Sequence, residues 1–185
     1  MRASGYERHA DDWYVEPAWC VDALIQAERP FVGQVMDPCC GGGNIPNRLR
    51  LAGIDCLASD LVCRNDFADQ ISSFDQAIPE AMADSIVSNP PYNLAQEFVD
   101  CALKHTQDRV CVLLRLAFLE GVKRRAWFSQ KPLARVWVCS KRVSMLPGGS
   151  DIPAKGGAIA YAWFVFEHKH VGPPVIGWIG NEGAN

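Results

Sequence analysis

Residues 89–92 read Asn89-Pro90-Pro91-Tyr92, and they follow directly on the apolar stretch 85–88. Proline fixes its own φ and carries no N–H, so two in succession end a strand and leave a rigid edge with a free carbonyl. An exocyclic amine is a poor nucleophile because its lone pair is delocalised into the ring. If the Asn89 side-chain oxygen and the Pro90 carbonyl each accept one of its hydrogens, the nitrogen pyramidalises and its lone pair turns toward an electrophile. Tyr92 is placed to stack on the face of the same ring. The competing reading of the four residues is a strand-ending turn with a packing tyrosine.

A second group lies upstream. Asp37 ends a short apolar run and is followed by Pro38, Cys39, Cys40 and then Gly41, Gly42 and Gly43. Without a Cβ, glycine lets the backbone turn sharply and approach a ligand closely, as in dinucleotide-binding loops, although the spacing here is not Gly-x-Gly-x-x-Gly. Asp60 ends the next apolar run, where a carboxylate can accept hydrogen bonds from ribose hydroxyls. Together they predict a nucleotide-like cofactor; the alternative is a tight turn with two solvated aspartates.

The elements that must position these residues follow from periodicity. Apolar residues at helical spacing predict a helix over 17–29, with Pro17 in its first turn and Pro30 ending it. Strands are predicted over 32–36, 54–59, 85–88 and 109–116, the last a near-continuous apolar run of the kind covered on both faces. A helix capped by Asn44 follows the glycine turn, and an irregular or helical stretch runs through Asp66, Phe67 and Ile71. Asn93 with Gln96 suggests a capping box for a helix presenting Leu94, Phe98, Cys101, Ala102 and His105 on one face. A further helix is expected over 118–128, and two final strands over 134–139 and 159–167 flank a long loop, 147–157. The expected fold is α/β, an open, mostly parallel, Rossmann-like sheet of about seven strands with an antiparallel edge strand. Ligands of such sheets bind at the carboxyl ends of the strands, where every motif above falls. One domain over 1–170 and a Gly/Pro-rich tail over 171–185 are predicted.

Composition narrows the classes. A chain of 185 residues with 49% hydrophobic side chains can bury one sizeable core, whereas two domains would both be marginal. No apolar run is long enough to span a bilayer and residues 1–12 are polar, which predicts a soluble, cytoplasmic protein. The eight cysteines sit in apolar runs or as the pair Cys39 and Cys40, so reduced thiols are expected. The four histidines are scattered; His168 and His170 alternate near a strand end, but no metal site is predicted. The formal net charge of −3 decides nothing about nucleic acid, because clustering matters more than the sum. Lys123, Arg124, Arg125, Lys131, Arg135, Lys141, Arg142 and Lys155 gather in the second half. Among them Lys123, Arg124, Arg125, Lys141, Arg142 and Lys155 are the candidates for phosphate contacts, against the plainer reading of a solvated face.

On Asp37 to Gly43 and Asn89 to Tyr92 the chain resembles class I S-adenosylmethionine (AdoMet)-dependent amino-methyltransferases, most closely the small N6-adenine DNA methyltransferases of phages and prophages. The resemblance covers about residues 6 to 168. It implies AdoMet as cofactor, bound by the turn at Asp37, Cys39, Gly41 and Gly43, with Asp60 on the ribose and Asp66 and Phe67 flanking the adenine. Residues 12–17 look like the family's N-terminal cofactor motif, implying Tyr14 and Pro17, with Glu16 where threonine is usual; Asn89 also borders the cofactor. Residues 161–166 are similar to its closing strand. The resemblance further implies base flipping and direct in-line transfer by a catalytic corner of Asn89, Pro90, Pro91 and Tyr92, with DNA as partner. The chain departs from larger relatives, which insert a separate target-recognition domain, and recognition is expected from the loop 147–157 and the basic segments near it. Other readings are a protein methyltransferase acting on a glutamine amide, RNA adenine-N6 or DNA cytosine-N4 methylation, and a non-catalytic AdoMet- or DNA-binding regulator.

Overall fold

A computed structural model of the chain describes residues 13–64, 67–148 and 159–180. Its centre is an eight-stranded sheet in the order β10-β7-β9-β6-β5-β2-β3-β4. The strands are β2 (Val35–Asp37), β3 (Cys56–Asp60), β4 (Gln70–Ile71), β5 (Ser85–Ser88), β6 (Arg109–Arg115), β7 (Leu133–Cys139), β9 (Tyr161–Glu167) and β10 (Val175–Ile179). A separate two-stranded ribbon pairs β1 (Tyr14–Val15) with β8 (Leu146–Pro147). The helices are α1 (Ala18–Ala27), α2 (Asn44–Leu51), α3 (Phe74–Ala81), α4 (Ala95–His105) and α5 (Val122–Phe128).

The α/β, mostly parallel architecture matches the expected fold. Every pairing in the main sheet is parallel except those of β9, which runs antiparallel to both β6 and β7. The antiparallel strand is thus third from its edge, not at it. Two features put it there: β6 and β7 leave one place between them, and Val175–Ile179, within the expected tail, adds an outer strand along β7. The sequence of β9 fits an interior position, since its first six residues are all buried, with no polar alternation.

Helices cover both faces. α3, α4 and α5 close one core around Ile78, Phe98, Phe118, Phe164 and Phe166, and α1 and α2 close the other around Val21, Leu24, Leu49, Leu113 and Trp163. Several local expectations resolve differently. α2 starts from Gly43 in the left-handed conformation with no side-chain cap, and Asn44 turns its amide away to the β1 segment. α4 is entered through a 3-10 turn, Tyr92–Leu94, again without a side-chain cap, so the Asn93 and Gln96 capping box does not form. α3 lies beyond the stretch expected to be irregular or helical, in which Gln70–Ile71 instead pairs with β3. All eight cysteines are free thiols.

Strand order reverses at β2: β3 and β4 build outward on one side, and β5 and β6 on the other. In open α/β sheets that reversal opens a crevice beyond the carboxyl ends of the two central strands. Asp37 ends β2 and Ser88 ends β5, so both polar motifs flank the crevice.

Candidate active site

The glycine turn is built from backbone bonds. Cys40 N–H donates to Ser59 O (2.9 Å) and Gly43 N–H to Cys40 O (2.7 Å), with Gly41 at φ +52° and Gly43 at φ +83°. Both angles favour glycine, and space requires it too. A Cβ on Gly41 would stand 2.6 Å from Trp13 Nε1, and one on Gly43 would stand 2.2 Å from the Phe67 ring.

Three carboxylates hold this corner. Asp37 is buried; its Oδ1 accepts from Ser88 Oγ (2.7 Å) and from Cys39 N–H (3.2 Å). Burial pushes its carboxyl well above the usual aspartate range, against the pull of the Ser88 hydrogen bond. Asp60 accepts Gly41 N–H at Oδ2 (2.7 Å) and Val62 N–H at Oδ1 (3.0 Å), with Arg64 Nε 3.8 Å away. The Arg64 guanidinium in turn sits 4.1 Å over the Trp13 ring. Glu16, also buried, is the third. Its Oε1 accepts from Asn44 Nδ2 (2.9 Å) and its Oε2 from Asn89 Nδ2 (2.9 Å). Asn44 Nδ2 also donates to Glu16 O (2.6 Å), and Asn89 Nδ2 to Tyr14 O (3.0 Å). Burial raises the Glu16 carboxyl from its ordinary value, partly offset by these amide bonds.

Between the turn and residues 89–94 lies a cavity of about 690 Å³, within the usual range for small-molecule sites. Of the residues singled out from sequence, Tyr14, Asp37, Cys39, Gly41, Asp60, Asn89 and Pro91 line it. Burial, with Asp37 and Asp60 nearby, holds the Cys39 thiol well above its normal range, so it lines the cavity as a neutral group. Pro17 precedes α1 as its N-cap residue, Pro90 is buried behind the wall, and Phe67 packs on Gly43 with the Arg50 guanidinium 5.2 Å from its ring. Tyr92 also stands off the wall. Its ring centroid is 6.0 Å from that of Tyr161, and Arg115 lies 5.0 Å over its face. Asp66 and Lys155 fall outside the described residues.

Sequence reasoning missed Ser88 and Arg64 as members of the site, and it touched Trp13 and Glu16 only through the cofactor-like segment 12–17 without assigning either a role. Glu16 meets partners 28 and 73 residues away, which no local pattern announces. The basic residues divide by role. Lys123 and Arg125 are exposed on α5, and Lys141 and Arg142 are exposed just beyond the end of β7, at the carboxyl edge of the sheet. Arg124 donates to Glu120 O (2.6 Å) and lies 5.3 Å over Phe118. Lys131 pairs with Asp100 at 2.7 Å, and Arg135 with Glu28 and Glu167, each at 2.7 Å. Among the described residues no group of three or more His, Cys, Asp or Glu side chains could hold a metal ion, and no helix is long and apolar enough to cross a membrane.

No family model and no curated protein sequence matches the chain. Solved structures do match in fold. A modification subunit assigned to a type I restriction enzyme of Vibrio vulnificus YJ016 superimposes with a TM-score of 0.58 at 12% identity, over 93% of this chain and 48% of that one. The chain therefore spans about half the length of the Vibrio subunit. A protein assigned as an RNA methyltransferase of Pyrococcus horikoshii gives 0.57 at 14% identity, over 81% and 80%. Magnesium protoporphyrin IX methyltransferase of Synechocystis PCC 6803, solved with bound SAM, gives 0.53 at 11% identity, over 81% and 78%. At these identities the likeness is one of fold, and the fold is the Rossmann-like α/β sheet that these methyltransferases share.

Proposed function

We propose that the chain transfers the methyl group of AdoMet to an exocyclic amine, the N6 of adenine in DNA. One observation carries the reading. Both donors of the Asn89 amide are engaged, at Tyr14 O and Glu16 Oε2, so this cavity-lining side chain has only its Oδ1 to offer a ligand. An oxygen acceptor held that way, beside the Pro90 carbonyl, suits a target that brings two N–H bonds.

The cavity fits the cofactor on charge and size. Glu16, Asp37, Asp60, Asp75 and Glu97 line it, with Arg64 the one cationic side chain among the described lining residues. AdoMet carries a sulfonium and an ammonium against one carboxylate, so an acid-rich wall favours it, and the donor turn at Gly41 and Gly42 offers close backbone approach. Bound there, AdoMet supplies an electrophilic methyl group for direct in-line transfer. The chain's own work is orientation. Asn89 Oδ1 and the Pro90 carbonyl draw the amine hydrogens, which localises the lone pair, and a water-poor pocket holds both reactants in line. Tyr92, which packs on Tyr161 with Arg115 over its ring, backs the corner from behind in this reading, and the target ring lies against the residues that line the cavity.

A base inside a duplex must leave the stack to reach this depth, at a cost of a few kcal/mol. Lys141 and Arg142, exposed just beyond the carboxyl end of β7, and Lys123 and Arg125, exposed on α5, are the side chains for the neighbouring phosphates in this reading. The Vibrio restriction-enzyme modification subunit and the Pyrococcus protein assigned as an RNA methyltransferase resemble this chain to a like degree and support a nucleic-acid acceptor, while the choice of DNA rests on the resemblance of residues 89–92. The test is to supply methyl-labelled AdoMet with separate DNA, RNA and protein acceptors, digest the labelled polymer and identify the product. N6-methyladenine from DNA is expected. Label on a glutamine amide, on RNA or on cytosine N4 overturns the choice of substrate, and failure to bind AdoMet at all overturns the whole reading.

A further inference from the structure

We propose that Glu16 is the positioning residue that fixes which way the Asn89 amide faces, by accepting one Nδ2 hydrogen at Oε2 while its Oε1 holds Asn44 at the start of α2. The catalytic consequence rests on the amine-methylating reading above; the positioning itself does not.

The argument is one of hydrogen-bond inventory. A carboxylate is an acceptor at both oxygens, and both are used: Oε1 by Asn44 Nδ2 and Oε2 by Asn89 Nδ2, each at 2.9 Å. The second hydrogen of each amide goes to the backbone of the same short segment, to Glu16 O from Asn44 and to Tyr14 O from Asn89. Turning the Asn89 amide over would set its oxygen against two acceptors. The amide therefore has one allowed orientation, with its nitrogen on Tyr14 O and Glu16 Oε2 and its oxygen left as the acceptor. Glutamine at position 16 cannot serve both neighbours, because it offers one acceptor oxygen and one NH2. Whichever way it lies, Asn44 or Asn89 meets an N–H and must turn over, where its oxygen then opposes a backbone carbonyl.

The energetics point the same way. Glu16 is only 6% exposed, and its described hydrogen-bond partners are amides, not cations. A buried carboxylate without a cation is costly for a fold that could have placed a neutral side chain there, and such an expense is characteristic of functional sites. Burial raising its carboxyl above the usual glutamate value agrees with this. The spans also matter. One side chain ties the end of the glycine turn to the Asn89 corner, joining the cofactor side of the crevice to the amine side.

The experiment compares the full-length wild type with Glu16→Gln and Glu16→Ala. The Asn89 side-chain NH2 pair is followed by ¹⁵N NMR, assigned through its loss in Asn89→Ala. AdoMet affinity is measured by calorimetry, and methyl transfer by initial rates. The wild-type pair should exchange slowly with solvent and lie away from free-amide shifts. In Glu16→Gln it should lose that protection or move, with kcat down about 10- to 100-fold and AdoMet affinity changed less than about threefold. Glutamine preserves the side-chain volume, so this variant carries the test if the alanine variant does not fold. Unchanged Asn89 signals and unchanged kcat in Glu16→Gln overturn the proposal. Slow-exchanging signals that collapse in Glu16→Gln, in a wild type that methylates none of the acceptors, uphold the positioning and remove the proposed function instead.

Discussion

Ser88 Oγ donates to Asp37 Oδ1 across 2.7 Å, joining the carboxyl ends of β5 and β2 where the strand order reverses. Both residues are buried, and the Cys39 N–H reaches the same oxygen. The bond therefore fixes the turn that follows Asp37 relative to the strand that leads into Asn89. Ser88→Ala removes a donor to a buried acid and should cost about 1–3 kcal/mol of stability, read from urea unfolding.

Asp37 and Glu16 also set a pH dependence. Burial raises both carboxyls above their ordinary values, so between those values and the raised ones the folded chain holds protons that the unfolded chain has released. Their contribution to stability is full below about pH 4 and is lost as pH rises through the folded-state values. Asp37→Asn removes one of the two. Its unfolding free energy should fall less steeply than that of the wild type as pH is raised from 4 to 8, measured without ligand. An identical slope would mean that Asp37 is already ionised in the fold.

At Gly43 two penalties can be separated. The position sits at φ +83°, and a Cβ would stand 2.2 Å from the Phe67 ring. Gly43→Ala should lose about 1–3 kcal/mol for the backbone and a further 1–3 kcal/mol for the clash. Adding Phe67→Ala relieves only the second part, so the double-mutant cycle should show a coupling of about 1–2 kcal/mol that favours the pair.

Much of this architecture was legible because burial on two faces leaves a plain mark. The apolar run of β6, the Pro-Pro stop after β5 and the three glycines after Asp37 each declare one local structure. The misses arise where position depends on distant partners. Val175–Ile179 lies among glycines and prolines, and becomes a strand because β7 offers an open edge. α3 contains Pro79, which hides its helical period, yet Ala77 and Ile78 are buried in the core it shares with α4. Glu16 stands in the cofactor-like segment 12–17, but nothing local announces the two asparagines that the fold brings to it. Of the predicted site, Asp37, Cys39, Gly41, Asp60 and Asn89 on strand ends and in the glycine turn reached the cavity wall, whereas Gly43 lies under Phe67. Phe67 and Tyr92 found aromatic or glycine neighbours first.

Asn89→Ala tests the chemistry directly. It deletes the acceptor proposed for the target amine and leaves the glycine turn and Asp60 in place. Transfer should drop about 10²- to 10³-fold while AdoMet affinity stays within a few-fold. Equal loss of both would make Asn89 a cofactor residue and move the amine site elsewhere.

The exposed cations predict a salt dependence. If Lys141 and Arg142 neutralise phosphates, the slope of log affinity for duplex DNA against log salt should shrink by about 0.9 for each one replaced by alanine. Lys123 and Arg125 on α5 should behave alike, and all four should act on any sequence equally.

Arg135 belongs to the same run of basic residues in the sequence, but its effect should fall on stability and not on binding. Its guanidinium donates to Glu28 from Nε (2.7 Å) and Nη2 (2.8 Å) and to Glu167 from Nη1 (2.7 Å), while Trp137 Nε1 donates to Glu28 at 2.8 Å. The Glu28 side chain is 1% exposed, and the Arg109 guanidinium, fully buried, lies 3.6 Å from it. Removing Arg135 strands most of that charge, which in a buried pair costs about 3–5 kcal/mol. Replacing both partners, as Glu28→Gln with Arg135→Met, should not recover the loss, because the fully buried Arg109 guanidinium then loses Glu28 as its neighbour. Glu167 adds a pH signature. Burial works to raise its carboxyl, but the hydrogen bonds from Arg29 and Arg135 outweigh it and hold the group below its ordinary value. Its contribution is therefore present at neutral pH and lost on acidification below about 4.5. Arg135→Ala should flatten that acid limb while leaving the salt slope for DNA unchanged, which separates the residues that hold the sheet together from those that face a nucleic acid.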